Sequence, residues 1–403
     1  MTTQTTAQAI AVETRAPRIL FYSHDTFGLG HLRRSRTLAS ALTQSDPDTS
    51  AIILTGSPVA GRFTFPERVD HIRLPGVTKT SDGSYVSETL GLNIDETTEL
   101  RSGLIKSAAE YFDPDILIVD KEPTGFRGEL IPALEWLTEK RHAKIVLGLR
   151  DVLDDPEVLA AEWDRKNAIQ AVETFYDEIW VYGMQSIYDP TAGLTLSDAA
   201  RSRIHWTGYL HREAFTDVNP PQEPYILVTP GGGGDGSDMV DLVLSAYEQD
   251  AELSPKALLV YGPFLSGLAR DEFEARVAKL DGRVTAVGFD SNIESLFIGS
   301  KGVVAMGGYN TFCEILSFDK PAVVVPRTVP RREQYIRGRR AEELGLLRIL
   351  DEARDGLTPG AMAAAIRALG EQPLPSNAMV PELLSGLDYV TERTRSLLAH
   401  RDQ

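Results

Sequence analysis

Short apolar runs alternate with stretches of helical spacing along the first half of the chain. The runs lie at 18–22, 51–56, 69–76, 115–120, 144–149 and 178–183, and the helix-like segments lie around 97–111, 128–140 and 156–176. A chain in which strands and helices alternate predicts an α/β protein with a parallel, doubly wound sheet. Ligands bind such sheets beyond the carboxyl ends of the strands, so the residues that follow each apolar run are the first candidates for function.

The alternation resumes after a polar segment at 216–224 that contains three prolines, a composition typical of a semi-rigid linker. Further strand-like runs then follow at 225–229, 257–263 and 283–290. At 403 residues the chain is long enough for two domains with separate cores. We therefore expect a disordered tail at 1–17, a first domain at 18–216 and a second at 225–384.

The composition is that of an ordinary globular protein, with 42% hydrophobic and 25% charged residues. No apolar stretch is long enough to span a bilayer, and the first 17 residues lack the apolar core of an export signal. The single cysteine, Cys313, rules out an intrachain disulfide framework and suits a reducing compartment. These observations predict a cytoplasmic protein.

The formal net charge of −17 argues against nucleic acid as a partner, because most of the surface would repel a phosphate backbone. Two basic clusters differ from this background. Arg33, Arg34 and Arg36 lie together, and six arginines fall between Arg327 and Arg340. We interpret most of these side chains as solvated helix faces.

Residues 301–334 have the pattern of strand, turn, helix and strand, with Gly307 and Gly308 at the turn. A glycine pair before a helix leaves backbone N–H groups uncovered, and the helix dipole adds positive charge there, so an anion is the expected ligand. One turn later, Glu314 could accept hydrogen bonds from the two hydroxyls of a ribose. The alternative is that Thr311 and Glu314 form a capping box, which many helix starts contain without a ligand.

Two further glycine loops follow apolar runs. Four successive glycines at 231–234 allow a phosphate to approach the backbone closely, and the alternative is a flexible hinge. Near the N-terminus, Gly28 and Gly30 precede His31, at the start of a predicted helix. A histidine there is kept neutral by the helix dipole and suits a general base, and the alternative is a helix-cap residue.

Carboxylates also follow the predicted strands. Asp120 and Glu122 could act as acid or base, although such residues are commonly turn or cap residues, which is our interpretation of Asp151. The segment 75–95 is long, polar and without a clear period, which makes it a candidate lid over an acceptor.

Together these motifs resemble the donor half of the GT-B glycosyltransferases, in particular the peptidoglycan lipid-intermediate N-acetylglucosaminyltransferase and its glycosyltransferase family 28 relatives. In that family one nucleotide-sugar pocket is built from residues that correspond here to Gly307, Gly308, Thr311, Glu314, Pro326 and Gln334. The stretch GLGHLRRSRTLA is similar to the opening of the UDP-sugar hydrolases of pseudaminic acid synthesis, which share the fold. The arginines of VPRREQ depart from the family motif, so its sugar selectivity does not carry over.

The resemblance implies a GT-B architecture of two Rossmann-like domains that face a cleft, with a last helix at 385–403 that returns to the first domain. It also implies a nucleobase site at 289–293. The catalytic candidates are His31 and Asp120. The donor-binding candidates are Gly28, Gly30, Gly232, Gly233, Gly308, Asn310, Thr311, Glu314, Gln334 and Arg331.

Three functions fit this pocket. The first is an inverting, metal-independent hexosyltransferase that uses a nucleoside diphosphate sugar, with UDP as the expected nucleotide, and a lipid-linked or small-molecule glycan acceptor. We expect no cofactor and a role in cell-envelope polysaccharide synthesis. Peripheral contact with a membrane is left open. The second function is a nucleotide-sugar hydrolase, and the third is a sensor that binds nucleotide sugars without turnover.

Overall fold

The apolar runs of the first half form a parallel sheet in the computed structural model, which describes residues 15–24, 29–80, 84–140, 143–214, 218–232 and 234–399. The strands of this half are β1 (Arg18–Ser23), β2 (Ser50–Thr55), β3 (Val69–Arg73), β4 (Val77–Lys79), β5 (Tyr85–Ser87), β6 (Ile116–Asp120), β7 (Lys144–Arg150), β8 (Glu178–Tyr182) and β9 (Ile204–Trp206). Seven of them form one sheet in the order β3-β2-β1-β6-β7-β8-β9, in which neighbouring strands are parallel. The predicted parallel sheet is confirmed.

The helices of this half are α1 (Gly30–Ser45), α2 (Ile94–Phe112), α3 (Ile131–Lys140), α4 (Pro156–Arg165), α5 (Ala168–Phe175) and α6 (Asp198–Arg201). The segment predicted as one helix over 156–176 is divided, because Asn167 has a left-handed φ of 51° that ends the first helical path. Helix α2 begins before the predicted start, since Asn93 and Glu96 form a capping box.

The segment 75–95 is more ordered than its sequence predicts. It contains β4 and β5, which pair as an antiparallel hairpin, while residues 81–83 lie outside the described ranges. Each strand has three residues, which is too short for an alternating pattern to be recognised in the sequence.

The second half is built in the same way. Its elements are β10 (Tyr225–Thr229), α7 (Ser237–Gln249), β11 (Lys256–Val260), α8 (Gly267–Val277), β12 (Val284–Val287), α9 (Ile293–Gly299), β13 (Val303–Ala305), α10 (Tyr309–Ser317), β14 (Ala322–Val324), α11 (Glu333–Glu343), β15 (Arg348–Ile349), α12 (Glu352–Asp355), α13 (Pro359–Ala368) and α14 (Gly386–Ala399). Its six strands are parallel, in the order β12-β11-β10-β13-β14-β15. The predicted pair of Rossmann-like halves is confirmed.

In both sheets the strand order reverses beside the first strand, between β1 and β6 and between β10 and β13. A crevice opens at such a reversal, beyond the carboxyl ends of the strands, because the flanking connections leave on opposite faces of the sheet. The loops after β1, β10 and β13 are the three glycine loops recognised in the sequence. The topology therefore places all three at crevices.

The two halves are joined by packing as well as by the chain. One hydrophobic core includes residues from both sheets, among them Ile19 of β1 and Leu227 of β10. Helix α14 lies against α1, and its Arg393 donates to Glu178 of β8 at 2.9 Å. Residues 216–217 of the expected linker and 400–403 of the expected last helix lie outside the described residues.

The expected N-terminal tail is described only from residue 15, where Arg15 donates to Asp113 and Asp115 at 2.7 Å each. Among the described residues, no helix combines the length and the apolar character that crossing a membrane requires.

Candidate functional site

Helix α10 begins with an uncapped N-terminus that faces open space. Gly308 is the N-cap residue, and no side chain of the described residues accepts a hydrogen bond from the first backbone N–H groups of the helix. A Cβ at Gly308 would meet no atom of the described residues within 4 Å, whereas one at Gly307, where φ is +78°, would lie 2.7 Å from Val324. The capping-box alternative for Thr311 and Glu314 is wrong, because Thr311 lies inside the helix rather than at its N-cap.

The loop after β10 approaches α10 from the neighbouring strand. Gly231 has a φ of +91°, a conformation that favours glycine, and its N–H donates to the Thr229 hydroxyl at 3.2 Å. A Cβ at Gly232 would come within 2.9 Å of Leu29, which directly precedes α1. The first and second glycine loops are therefore in contact. Gly28 and Gly233 lie outside the described residues.

Leu29 and Gly30, the loop after β10 and the start of α10 line a cavity between the two halves, with a volume of about 1170 Å³ that includes space open to solvent. Most of the described donor candidates line it. These residues are Gly30, Gly232, Gly308, Asn310, Thr311, Glu314 and Gln334, and His31 lines it as well. Residues widely separated in the sequence thus share one cavity that has a helix N-terminus in its wall.

His31 and Asp120 form a hydrogen-bonded pair at the first-domain side of this cavity. The Nδ1 atom of His31 lies 2.5 Å from Oδ2 of Asp120, and Arg34 donates to the same carboxylate through Nε at 2.9 Å and Nη2 at 2.7 Å. Burial acts to raise the pKa of Asp120, but Arg34 and His31 outweigh it and hold the pKa well below its usual range. Since an ionised carboxylate can only accept, Nδ1 of His31 carries the hydrogen, and Nε2 is left as the basic atom.

Asp120 does not line the cavity, and its ionised state at neutral pH makes it a poor proton acceptor. Its geometry suits orientation of the imidazole and stabilisation of the imidazolium that forms when His31 takes a proton. Glu122 is engaged elsewhere, because Lys166 donates to it at 2.8 Å and Lys121 lies 3.0 Å from it.

Glu314 is buried at the second-domain side, and only half of its carboxylate has a partner. Arg33 of α1 donates to its Oε1 atom, and also to Glu294 at 2.8 Å. The Oε2 atom of Glu314 is buried without a hydrogen bond to any described residue. Burial raises the pKa of Glu314 while Arg33 opposes the shift. One oxygen of a carboxylate that lines the cavity thus has no hydrogen-bond partner among the described residues.

The interpretation of Arg33, Arg34 and Arg36 as a solvated face is wrong. Arg34 is 1% and Arg36 is 3% exposed, and Arg33 joins the halves through its two carboxylates. The carboxylates that bind Arg33 and Arg34 lie far away in the sequence, so no local pattern could have revealed these pairs.

In a comparison with protein families, residues 225–383 match the family model described as the glycosyltransferase family 28 C-terminal domain. The chain as a whole has the GT-B fold. A comparison with curated protein sequences gave no significant match.

Solved structures that are similar include the UGT2 of Phytolacca americana complexed with UDP-2-fluoro-glucose and pterostilbene, with 15% identity, a TM-score of 0.62, and coverage of 96% of this chain and 100% of that one. The spinosyn forosaminyltransferase SpnP has 11% identity, a TM-score of 0.62, and coverage of 96% and 100%. The glycosyltransferase SnogD from Streptomyces nogalater has 15% identity, a TM-score of 0.56, and coverage of 96% and 99%. At such identities the likeness concerns the fold.

Within this GT-B fold, three donor candidates have partners that the sequence did not reveal. Asn310 donates to the carbonyl of Gly30 at 3.0 Å and accepts from Arg212 at 2.7 Å, so its amide connects the halves. Gln334 accepts from the backbone of Arg327 at 3.0 Å through Oε1. Arg331 does not line the cavity, because its guanidinium is directed to Glu162 of α4 at 3.0 Å.

Asp151 is not the cap residue that its sequence context predicted. It is 1% exposed and binds Arg337 of α11 through two hydrogen bonds of 2.8 and 2.6 Å, and Tyr209 donates to it at 3.0 Å. Arg337 also donates to the carbonyl of Gly307 at 3.1 Å. This buried ion pair between the halves therefore supports the glycine turn that precedes α10.

Proposed function

We propose that the chain transfers a sugar from a nucleoside diphosphate sugar to an acceptor hydroxyl. The observation that carries the proposal is the arrangement of the cavity: a histidine–aspartate pair from the first half faces an uncapped helix N-terminus from the second. Transfer requires a base for the acceptor and stabilisation of the departing diphosphate. In this proposal the first half supplies the base, and the helix N-terminus of the second half stabilises the diphosphate.

In this proposal Nε2 of His31 removes the proton of the acceptor hydroxyl. The acceptor oxygen forms a bond to the anomeric carbon while the bond from that carbon to the diphosphate oxygen breaks. The electron pair remains on the diphosphate and the proton remains on His31, where Asp120 stabilises the imidazolium. A single displacement of this kind inverts the anomeric configuration.

The donor is assigned to the second half. The N–H groups at the start of α10 and the loop at Gly231 and Gly232 would hold the diphosphate. The unpartnered Oε2 of Glu314 would accept from a ribose hydroxyl, and Gln334 lies on the same wall. UDP is our first candidate, because a UDP sugar is bound in the Phytolacca americana UGT2 structure with the same fold. Gly28 and Gly233 remain predicted contacts.

A donor screen tests the proposal. The protein is incubated with UDP-, GDP-, ADP- and dTDP-sugars, with and without a panel of glycan and lipid-linked acceptors, and both nucleotide release and sugar transfer are measured. Transfer that depends on the acceptor supports the proposal. Release of free sugar at the same rate without an acceptor would replace it with hydrolysis, and binding without any release would indicate a sensor.

The matched control for the base is a second histidine. His31→Ala should abolish most transfer, whereas His211→Ala should not, because His211 does not line the cavity and its side chain is 39% exposed. Equal loss in both variants would indicate a general effect on folding and would remove the support for His31.

A further inference from the structure

Arg150 is the last residue of β7, at the carboxyl edge of the first sheet, and it lines the cavity. The neighbouring strand β6 ends at Asp120, which is aligned with Gly148 of β7. Arg150 therefore projects from the same sheet edge that supplies the partner of His31.

Arg150 differs from the other arginines of the cavity because it has no partner among the described residues. Arg33 binds Glu314 and Glu294, and Arg34 binds Asp120. Arg327 binds two carboxylates, those of Asp235 and Glu333. No described carboxylate lies within 4.0 Å of Arg150, and its Nε atom is buried without an acceptor.

The surroundings of Arg150 are rich in positive charge. The pKa of Arg150 is lowered to about 10, and burial is the largest cause. The positive charges of Arg34, Arg337 and Arg331 also lower it, whereas Glu333 raises it. The side chain still carries its charge at neutral pH. An unpaired cation in a partly desolvated site is costly, and an anionic ligand would offset that cost.

The neighbours of Arg150 indicate where such an anion would lie. The guanidinium groups of Arg34 and Arg337 lie 5.5 and 5.7 Å from the ring centre of Tyr309, which is the first residue of α10. The positive charges of both groups act to lower the pKa of Arg150. The free guanidinium and the uncapped helix N-terminus therefore belong to one region of the cavity.

We propose that Arg150 binds the phosphate oxygens of the donor diphosphate from the first half, opposite the N-terminus of α10. This inference rests on the proposed function. A planar guanidinium can make two parallel hydrogen bonds to a phosphate group and so stabilise the charge that the diphosphate gains as the bond to the anomeric carbon breaks. The leaving group is then held by both halves.

The test is calorimetric titration of the whole chain with UDP, UMP and inorganic pyrophosphate. Pyrophosphate probes the phosphate site whatever the nucleobase. Arg150→Gln should weaken binding of UDP and pyrophosphate by about tenfold or more, because a hydrogen bond to a charged group is lost. UMP, which lacks the terminal phosphate, should be affected less. Arg150→Lys should retain part of the affinity, since it keeps the charge but loses the planar pair of donors.

Arg339→Gln is the matched control, because it removes the same charge from a side chain that is 38% exposed and does not line the cavity. Unchanged UDP and pyrophosphate affinity in both Arg150 variants overturns the inference, and a selective rise in the acceptor KM would assign Arg150 to an anionic acceptor instead. If Arg150→Gln does not fold, an unchanged UDP affinity of Arg150→Lys overturns it equally. Failure of the unmodified protein to bind any nucleoside diphosphate refutes the proposed function itself.

Discussion

Glu314 provides the sharpest test of the donor site, because replacement with glutamine keeps its shape while removing its charge. In the structure its Oε1 atom accepts from Arg33, and no described residue donates to its Oε2 atom. Glu314→Gln should leave the fold largely intact, since Arg33 keeps its 2.8 Å contact with Glu294 and is not left as an unpaired buried cation. The main loss should concern a ligand that uses Oε2.

The size of that loss follows from the type of hydrogen bond. A hydrogen bond to an ionised group contributes about 1.5 to 3 kcal/mol, so Glu314→Gln should weaken UDP binding by about ten- to a hundredfold. If the ribose hydroxyls are the donors, UDP and 2′,3′-dideoxy-UDP should differ in affinity for the unmodified protein. The difference should shrink in the variant, because the acceptor of those hydroxyls has lost its charge.

The assay is titration of both nucleotides into the unmodified protein, Glu314→Gln and the control Glu294→Gln. Glu294 shares the same arginine but does not line the cavity, so its variant reports the effect of weakening the Arg33 contact alone. If Glu314→Gln binds UDP normally and only melts at a lower temperature, Glu314 has a purely structural role and the assignment to ribose is wrong.

Three further predictions concern the base and the contact between the halves. His31→Ala should lower kcat by about a hundredfold or more with little change in donor affinity, and His31→Asn should not restore kcat, because an amide cannot take the proton. Asp120→Asn should also lower kcat. The pKa of Asp120 is depressed in the folded state, so the ionised carboxylate stabilises the fold above about pH 4, and this stabilisation is lost as the pH falls. The melting temperature of Asp120→Asn should therefore fall less on acidification than that of the unmodified protein. Arg337→Gln should lower the free energy of unfolding by about 3 to 5 kcal/mol in denaturant titrations, because it leaves the buried Asp151 carboxylate without its partner.

A specific result would refute each of these three predictions. Full turnover in His31→Asn would move the base elsewhere in the cavity. A melting temperature of Asp120→Asn that depends on pH as strongly as that of the unmodified protein would show that Asp120 is not the ionised partner of Arg34. A loss of less than about 1 kcal/mol in Arg337→Gln would mean that the hydrogen bond from Tyr209, or water, is enough to stabilise the Asp151 carboxylate.

Much of the architecture could be predicted from the sequence because its signals are local. Alternation of apolar runs and helical stretches depends on neighbouring residues, so both parallel sheets were predicted correctly. Glycine turns are also local, since a left-handed φ such as that of Gly307 is a property of one residue. The division at Asn167 and the hairpin of β4 and β5 were missed, because single turns and three-residue strands carry little pattern.

What the sequence could not determine is which charged side chains are partnered. Arg34 is separated from Asp120 by 86 residues, Arg337 from Asp151 by 186, and Arg33 from Glu314 by 281. In the sequence these arginines have the spacing typical of a solvent-exposed helix face. Only the packing of the two halves buries them. Among the described residues, the same packing leaves Arg150 without a carboxylate partner and one oxygen of Glu314 without a hydrogen bond. Pairing depends on distance in space and on the exclusion of water, and neither is a property of the local sequence.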